Sequence, residues 1–286
     1  MASVTSVSRS GTNDDNVIFS AGQSEVDRLD MQHKVIYASM PQLVQAPIDL
    51  KKGGLRILDQ ATGSGLWIRD VRETAGGDNN WVGTDIEDSY FPKAPPADTT
   101  YHHQSMTESW PADWSNSFDL VHSRFALPGV GMNPLEYAVK NLIGLVKPGG
   151  WIQMVELEWG NWNAGPEGKV FHDSFREMLT MVTNGQGVDL HEKLIPIFKN
   201  SGLENLRSKS IDVGYGAVAN EEIRDVSEAS LLATVKGGIQ TMKMLPPISI
   251  SPEILEALPE RLAKENRERG FEMKVFALWA QKPLDM

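Results

Sequence analysis

Hydrophobic residues first recur at a helical period between positions 24 and 40. They fall three or four positions apart and share one face of a helix: Val26, Leu29, His33, Ile36 and Met40. Pro41 ends this pattern, because proline cannot continue a helix. The first 16 residues are rich in Ser, Thr, Asn and Asp. We therefore predict an amphipathic helix over 24–40 and a disordered tail over 1–23.

A second pattern begins at position 55, where short apolar runs follow one another along the chain. They occupy 55–59, 81–86, 118–122 and 151–157, and helical patterns lie between them. Short apolar runs that alternate with amphipathic helices are typical of a parallel sheet with helices on both faces. The chain is therefore predicted to be an α/β protein.

The turn after the first of these strands is rich in glycine. Gly63 and Gly65 let the backbone approach a ligand where a Cβ atom would collide, and the helix that follows presents free N–H groups. Asp59 ends the first strand, and Asp85 lies at the tip of the second. A carboxylate at that tip is placed to accept hydrogen bonds from both hydroxyls of a ribose, with Glu87 as a nearby substitute. Together these features predict a nucleotide-binding edge.

The carboxyl ends of the next two strands meet the same edge of the sheet. In such an architecture the turn after a weak strand over 100–104 is expected to flank the base of the nucleotide, with Met106 against the adenine face and Gln104 or Ser105 bonded to its edge. The strand over 118–122 delivers three further side chains there: Ser123, Arg124 and Phe125. Arg124 is either a partner for an acidic substrate or a member of an internal salt bridge.

Composition narrows the classes of function. The chain has no cysteine, which excludes disulfides, thiolate metal sites and a cysteine nucleophile and fits a cytoplasmic location. Its net charge of -11 opposes binding to nucleic acid and to anionic membranes. No apolar run reaches the length that spans a membrane, and no cluster of His or carboxylate residues has the spacing of a metal site. We expect a small-molecule substrate and no metal.

Three side chains are candidate general bases. His33 lies within the buried face of the first helix, Glu156 at the end of the fifth strand, and His172 in the segment that follows. Each also has a structural interpretation: a core histidine with a hydrogen-bond partner, a carboxylate that receives backbone amides or pairs with Arg124, and an exposed histidine, respectively. The pattern alone leaves these alternatives open.

These motifs occur in the order and spacing of the seven-stranded S-adenosylmethionine-dependent methyltransferases. The resemblance rests on the turn 59–65, Asp85, and the segments 118–124 and 145–151. The segment 28–33 and Trp67 resemble the fungal LaeA-like branch, which includes secondary-metabolite methyltransferases. The likeness covers residues 24–160. Two places depart from the family pattern: Ala61 replaces the first loop glycine, and Gln104 with Ser105 replaces an acid before the adenine loop.

The resemblance implies a doubly wound, mostly parallel sheet of seven strands with an antiparallel last strand over 272–281. It implies one domain over 24–286, with the helix 24–40 as a lid and a helical cap from the segments 160–188 and 216–250. The cofactor would be S-adenosylmethionine, with S-adenosylhomocysteine as product. The implied cofactor-binding residues are Asp59, Ala61, Gly63, Gly65, Trp67, Asp85, Ile86, Gln104, Ser105, Met106, Ser123 and Arg124.

Aromatic residues dominate the remaining, more variable half of the chain. We assign to the substrate Tyr37, Phe125, Trp159, Phe171 and Phe175. The resulting hypothesis is methyl transfer to O, N or S of a small, largely apolar metabolite. Two alternatives keep the cofactor: a regulator that binds it without turnover, and an enzyme that uses its positive charge for ring formation. The acceptor atom and the oligomeric state stay open.

Overall fold

Strands form the centre of the computed structural model, which describes residues 18–285. They are β1 (Arg56–Gln60), β2 (Asn80–Asp85), β3 (Thr99–His103), β4 (Phe118–Arg124), β5 (Val146–Asn163), β6 (Glu204–Tyr215) and β7 (Phe271–Gln281). The helices are α1 (Gln23–Ser39), α2 (Leu66–Ala75), α3 (Leu135–Leu145), α4 (Pro166–Val182), α5 (Leu190–Asn200), α6 (Arg224–Met242) and α7 (Pro252–Glu268). Most of the tail predicted over 1–23 lies outside the described residues.

The seven strands hydrogen-bond in the order β3-β2-β1-β4-β5-β7-β6. Strands β1 to β5 run parallel, whereas β7 is antiparallel to both of its neighbours, β5 and β6. The chain moves outward from β1 in one direction and then returns to continue in the other. This topology confirms the predicted doubly wound, mostly parallel sheet with an antiparallel last strand.

Hydrophobic residues cover both faces of this sheet. Ile57 and Leu58 are adjacent on β1, but they belong to different core clusters because successive side chains of a strand point to opposite faces. One cluster includes buried residues of α1, α2, α4 and α6, and the other includes those of α3 and α5. A strand buried on both faces explains why its sequence is apolar without alternation.

Strand β5 is much longer than the run over 151–157 that the sequence predicts. After a bulge it continues to pair with β7, where Asn163 lies opposite Glu272. The antiparallel partner therefore carries the strand beyond its hydrophobic run. The helices α4 and α6 lie in the two segments that we assign to a cap. The division into domain, lid and cap stays a prediction.

Helix α6 passes through Gly237 and Gly238 without interruption. Both glycines lie against aromatic rings. A Cβ atom at Gly238 would lie 2.0 Å from Cζ of Phe175, and one at Gly237 would lie 2.5 Å from Cδ1 of Phe19. The two glycines thus allow aromatic rings to pack directly on the helix backbone.

None of the helices between residues 18 and 285 has the length and hydropathy needed to cross a bilayer.

We expect Gly238→Ala to lower the free energy of unfolding by about 1–3 kcal/mol, because the new methyl group would displace the Phe175 ring. Gly144→Ala is the matched control, because a Cβ atom there meets nothing within 4 Å. Gly144→Ala should raise the free energy of unfolding by about 0.5–1 kcal/mol, because alanine loses less conformational entropy than glycine when the chain folds. Urea denaturation measures both changes. Equal effects of the two substitutions would contradict the packing explanation.

Candidate active site

A cavity of about 740 Å³ opens at the carboxyl edge of the parallel strands. Its walls include residues from the ends of β1, β2, β4 and β5 and from helices α1 and α4. In open α/β sheets ligands bind at this edge, beside the point where the strand order reverses. The volume lies within the range of small-molecule and cofactor sites.

The carboxylate of Asp59 joins β1 to β4. Its Oδ1 lies 2.7 Å from Nδ1 of His122, and its Oδ2 accepts a hydrogen bond of 2.7 Å from the Thr62 hydroxyl. The His122 ring stacks on Trp67 with 4.0 Å between centroids. Burial lowers the pKa of His122, and the hydrogen bond with Asp59 opposes this decrease. These contacts fix the turn after β1.

The turn after β1 needs left-handed backbone at three positions. Gly63, Gly65 and Ala61 have φ values of 54°, 77° and 56°. A Cβ atom at Gly65 would lie 2.3 Å from the Tyr101 hydroxyl, so protein packing requires this glycine. Ala61 adopts the same region at a cost of roughly 1–2 kcal/mol. The turn thus keeps its shape despite the alanine.

Asp85 connects the end of β2 to this turn. Its Oδ2 accepts the Gly63 N–H at 2.8 Å, and its Oδ1 accepts the Glu87 N–H at 3.1 Å. Burial raises the pKa of Asp85 to about 6, and the backbone amides limit this rise. The group is therefore ionised at neutral pH and lies on the cavity wall. Each oxygen keeps a lone pair with which it can accept a ligand hydroxyl.

The residues predicted for the adenine end do not line the cavity. The Ser105 hydroxyl bonds Thr107, and the Gln104 amide donates to the Ser105 carbonyl. Met106 is buried in the core cluster on the other face of the sheet. The side chains of Gln104 and Ser105 therefore stabilise the local turn, and that of Met106 packs in the core. The wall here comes instead from Ile86, Glu87, Tyr90, His103 and Glu108.

Two further predicted residues lie away from the cavity. Ser123 is buried, and its hydroxyl donates to Oε1 of Gln60. Tyr37 is 38% exposed on α1, where it stacks beside His33, and it does not line this cavity. Strand β4 and helix α1 both reach the cavity as expected, but these two side chains do not line it.

His33 is engaged at both ring nitrogens. Nε2 lies 2.8 Å from Oδ2 of Asp70, and Nδ1 lies 2.8 Å from Nη2 of Arg124. Because arginine only donates, Nδ1 accepts and the proton sits on Nε2. Burial and the charge of Arg124 lower the pKa of His33 to about 4. In this arrangement neither nitrogen is free to take a proton from a substrate.

Glu156 stays a candidate base. It lies on the cavity wall with 1% of its surface exposed, and its Oε1 accepts the N–H groups of Ala126 and Leu127, both at 3.0 Å. Its Oε2 accepts no hydrogen bond from residues 18–285. Burial raises the pKa of Glu156 to about 7. This carboxylate can therefore exchange a proton near neutral pH.

His172 does not line the cavity. Its Nε2 donates to the Trp159 carbonyl at 2.9 Å, and its Nδ1 lies 2.8 Å from Asp173. The long strand β5 brings that carbonyl within reach of the ring. The structure therefore gives His172 a role in attaching α4 to β5, and not the fully exposed position that the sequence left as an alternative.

The β5 and α4 side of the cavity is aromatic. Trp159 stacks on Trp162 with 5.3 Å between centroids, and Phe171 contacts Phe175 edge to face at 4.4 Å. Phe125 completes this part of the wall. Sequence reasoning missed several other wall residues, because they come from distant segments: Phe19, Arg28, Tyr215, Leu231 and Met273.

Comparison with known proteins identifies the class of protein to which this fold belongs. Residues 57–150 match the family model of a methyltransferase domain. A solved structure described as a methyltransferase from an antibiotic biosynthesis pathway of Anabaena variabilis shares the fold. Its TM-score is 0.53 at 13% identity, with coverage of 90% of this chain and 99% of that chain. The fold is that of the Rossmann-like methyltransferases.

Fungal relatives define the family more closely. The chain is 31% identical to the methyltransferase psoC of Aspergillus fumigatus, over 84% of this chain and 88% of the relative. It is 35% identical to the N-methyltransferase sirN of Leptosphaeria maculans, over 74% and 78%. The secondary metabolism regulator laeA of Gibberella zeae matches at 26% over 50% of this chain and 45% of its own length. The chain belongs to the S-adenosylmethionine-dependent methyltransferases, in the branch of these fungal proteins.

The site fits this cofactor on structural grounds of its own. Asp85 is a buried, ionised carboxylate that can accept hydrogen bonds from hydroxyl groups, and the turn after β1 brings bare backbone to the wall at Gly63. Nη1 of Arg124 is buried without a hydrogen-bond acceptor among the described residues, and an anionic group of a ligand could supply that acceptor. The assignment of individual cofactor contacts stays a prediction.

Asp85→Asn should weaken S-adenosylhomocysteine binding by about 10- to 100-fold, because an amide replaces an oxygen that accepts charge-assisted hydrogen bonds. Asp88→Asn is the control, since Asp88 also lines the cavity but lies beyond the strand tip. Isothermal titration calorimetry measures both dissociation constants. Unchanged affinity in the Asp85 variant would overturn its assignment to the ribose.

Proposed function

We propose that this protein transfers the methyl group of S-adenosylmethionine to a nitrogen atom of a small, largely apolar metabolite. The observation that carries this proposal is the arrangement of one cavity. Asp85 lies at the β2 side of the wall, the aromatic residues lie at the β5 and α4 side, and the proton acceptor Glu156 lies on β5. The sequence alone leaves O, N and S open as acceptors. Likeness to a relative named as an N-methyltransferase favours nitrogen.

Different residues of the cavity would carry out different parts of such a reaction. The bound cofactor supplies a methyl group that its sulfonium already activates. The aromatic wall would hold the acceptor in one orientation and exclude water, and orientation can contribute on the order of 7–11 kcal/mol in favourable cases. Glu156 would accept the proton that the nitrogen loses. The amides of Ala126 and Leu127 hold its carboxylate in place.

A regulator that binds the cofactor without turnover is the second candidate, and the match to laeA is the observation that favours it. The two candidates differ in turnover. A catalyst releases S-adenosylhomocysteine and adds one methyl group to the mass of an acceptor, whereas a regulator binds the cofactor and does neither.

The direct test combines binding and turnover in the purified protein. We expect calorimetric binding of S-adenosylmethionine, followed by S-adenosylhomocysteine release when apolar amines, amides and heterocycles with N–H groups are supplied. A matched series of hydroxyl and thiol analogues examines the acceptor atom. Binding without turnover across the series would favour the regulator, and methylation of only the hydroxyl or thiol analogues would overturn the choice of nitrogen.

The activity should depend on pH through Glu156. The pKa of this carboxyl is raised to about 7, so the ionised form that accepts a proton is present above pH 7 and lost below it. The kcat/KM should therefore rise with pH through about 7. Glu156→Gln should lower kcat by about 10²- to 10⁴-fold, the usual contribution of a general base, and remove this rise. Glu158→Gln is the control, because Glu158 lies on the same strand and bonds Ser210 outside the cavity.

Glu156→Gln should also change how the free energy of unfolding depends on pH, and this change distinguishes a loss of catalysis from damage to the fold. Glu156 has its pKa raised from 4.5 to about 7 in the folded state, so its ionisation destabilises the fold as pH rises between these values. Glu156→Gln should remove this loss and make the free energy of unfolding less dependent on pH. A pH-independent loss of stability in the variant would show that its inactivity reflects damage to the fold.

A further inference from the structure

Arg124 is a partly buried cation whose hydrogen bonding is incomplete. It lies at the end of β4 on the cavity wall, and its Nη2 donates to Nδ1 of His33 at 2.8 Å. Its Nη1 is buried and has no acceptor among residues 18–285, and no carboxylate in that range forms an ion pair with it. Burial lowers the pKa of Arg124 to about 10, so the guanidinium stays charged at neutral pH. The charges of Asp59 and Asp70 oppose this decrease, but neither carboxylate contacts the guanidinium, so Nη1 lacks the acceptor that a buried donor requires.

Arg124 differs in charge and in pairing from the other ionisable residues of the cavity wall. The wall is rich in carboxylates: Glu25, Asp59, Asp85, Glu87, Asp88, Glu108 and Glu156. Arg28 is the other arginine on the wall, but Glu25 holds it through two hydrogen bonds of 2.7 and 2.8 Å. Within the described part of the chain, Arg124 is therefore the arginine or lysine on the wall without a carboxylate partner. An anionic ligand group that enters this acidic cavity has one favourable position.

His33 and Asp70 set the orientation of this guanidinium. Asp70 accepts a hydrogen bond from the Nε2–H of His33, and Nδ1 of the neutral ring therefore accepts one N–H of Arg124. The interaction occupies Nη2 on one side only. Nη1 and the remaining N–H groups are then available as a fork, the geometry that binds a carboxylate with two hydrogen bonds.

We propose that Arg124 binds the carboxylate of the amino-acid end of the cofactor, and that His33 with Asp70 are positioning residues that act through Arg124. This proposal rests on the cofactor of the proposed function but not on the acceptor or on turnover. It assigns His33 to cofactor orientation and leaves proton transfer to Glu156.

The test compares two thioether ligands that differ in the amino-acid end. S-adenosylhomocysteine carries the carboxylate, and 5′-methylthioadenosine shares the adenosine and the sulfur but lacks it. Arg124→Gln should weaken S-adenosylhomocysteine by about 10- to 100-fold, the loss of a charge-assisted pair of bonds, and change 5′-methylthioadenosine by less than about 2-fold. Retained binding of the second ligand also shows that the variant is folded.

Arg69→Gln is the matched control. Arg69 bonds the other oxygen of Asp70 at 2.6 Å, but it is exposed and does not line the cavity. It should leave both dissociation constants unchanged. Equal losses for both ligands in Arg124→Gln, or no loss for either, would overturn the carboxylate assignment while the cofactor assignment stands. Absence of S-adenosylhomocysteine binding by the unaltered protein would overturn both.

A double-mutant cycle tests the part assigned to His33. His33→Phe keeps a ring of similar shape and removes both hydrogen bonds, so it should weaken S-adenosylhomocysteine by roughly 3- to 10-fold and leave 5′-methylthioadenosine unchanged. In the Arg124→Gln background it should have no further effect, because its influence passes through Arg124. Additive losses would overturn the positioning role.

Discussion

The hydrogen bond from the Gly63 N–H to the Asp85 carboxylate is the constraint on which the site depends. It joins the turn after β1 to the end of β2, and the contact between Asp59 and His122 joins β1 to β4 in the same way. Neighbouring strands thus hold one another's loops through buried carboxylates. Because the protein itself makes these bonds, the edge of the sheet is shaped before any ligand contributes energy, and less ordering is required on binding.

Burial gives the titratable groups of this cavity different tasks. The pKa of His33 falls to about 4, whereas those of Asp85 and Glu156 rise to about 6 and about 7. At neutral pH the histidine is therefore a neutral hydrogen-bonding group, and Asp85 is an anion that accepts hydroxyl donors. Glu156 is the group near its midpoint, which is the condition that proton exchange requires. One physical effect, desolvation, thus separates a structural histidine, a binding carboxylate and a candidate base.

The sequence predicted the elements that local periodicity encodes and missed the contacts that depend on register between distant segments. Asp59 and Asp85 could be placed at strand ends because a short apolar run leads to each of them. The partnership of Asp59 with His122 could not, because it follows from the pairing of β1 with a strand far along the chain. Met106 faces the core and not the cavity for a similar reason, since a turn does not fix the direction of its side chains. The Arg28–Glu25 pair had a readable signal, opposite charges three positions apart on a helix.

The bare backbone of α6 at Gly237 and Gly238 carries a consequence for how such a protein can diversify. Phe19 and Phe175 come from widely separated parts of the chain, and each rests on one of these glycines, with the Arg28 guanidinium 4.3 Å from the centre of the Phe19 ring. Both rings belong to the cavity wall. A side chain at either helix position would push one of these rings out of place, so variation of the aromatic wall is limited by two residues that do not line the cavity.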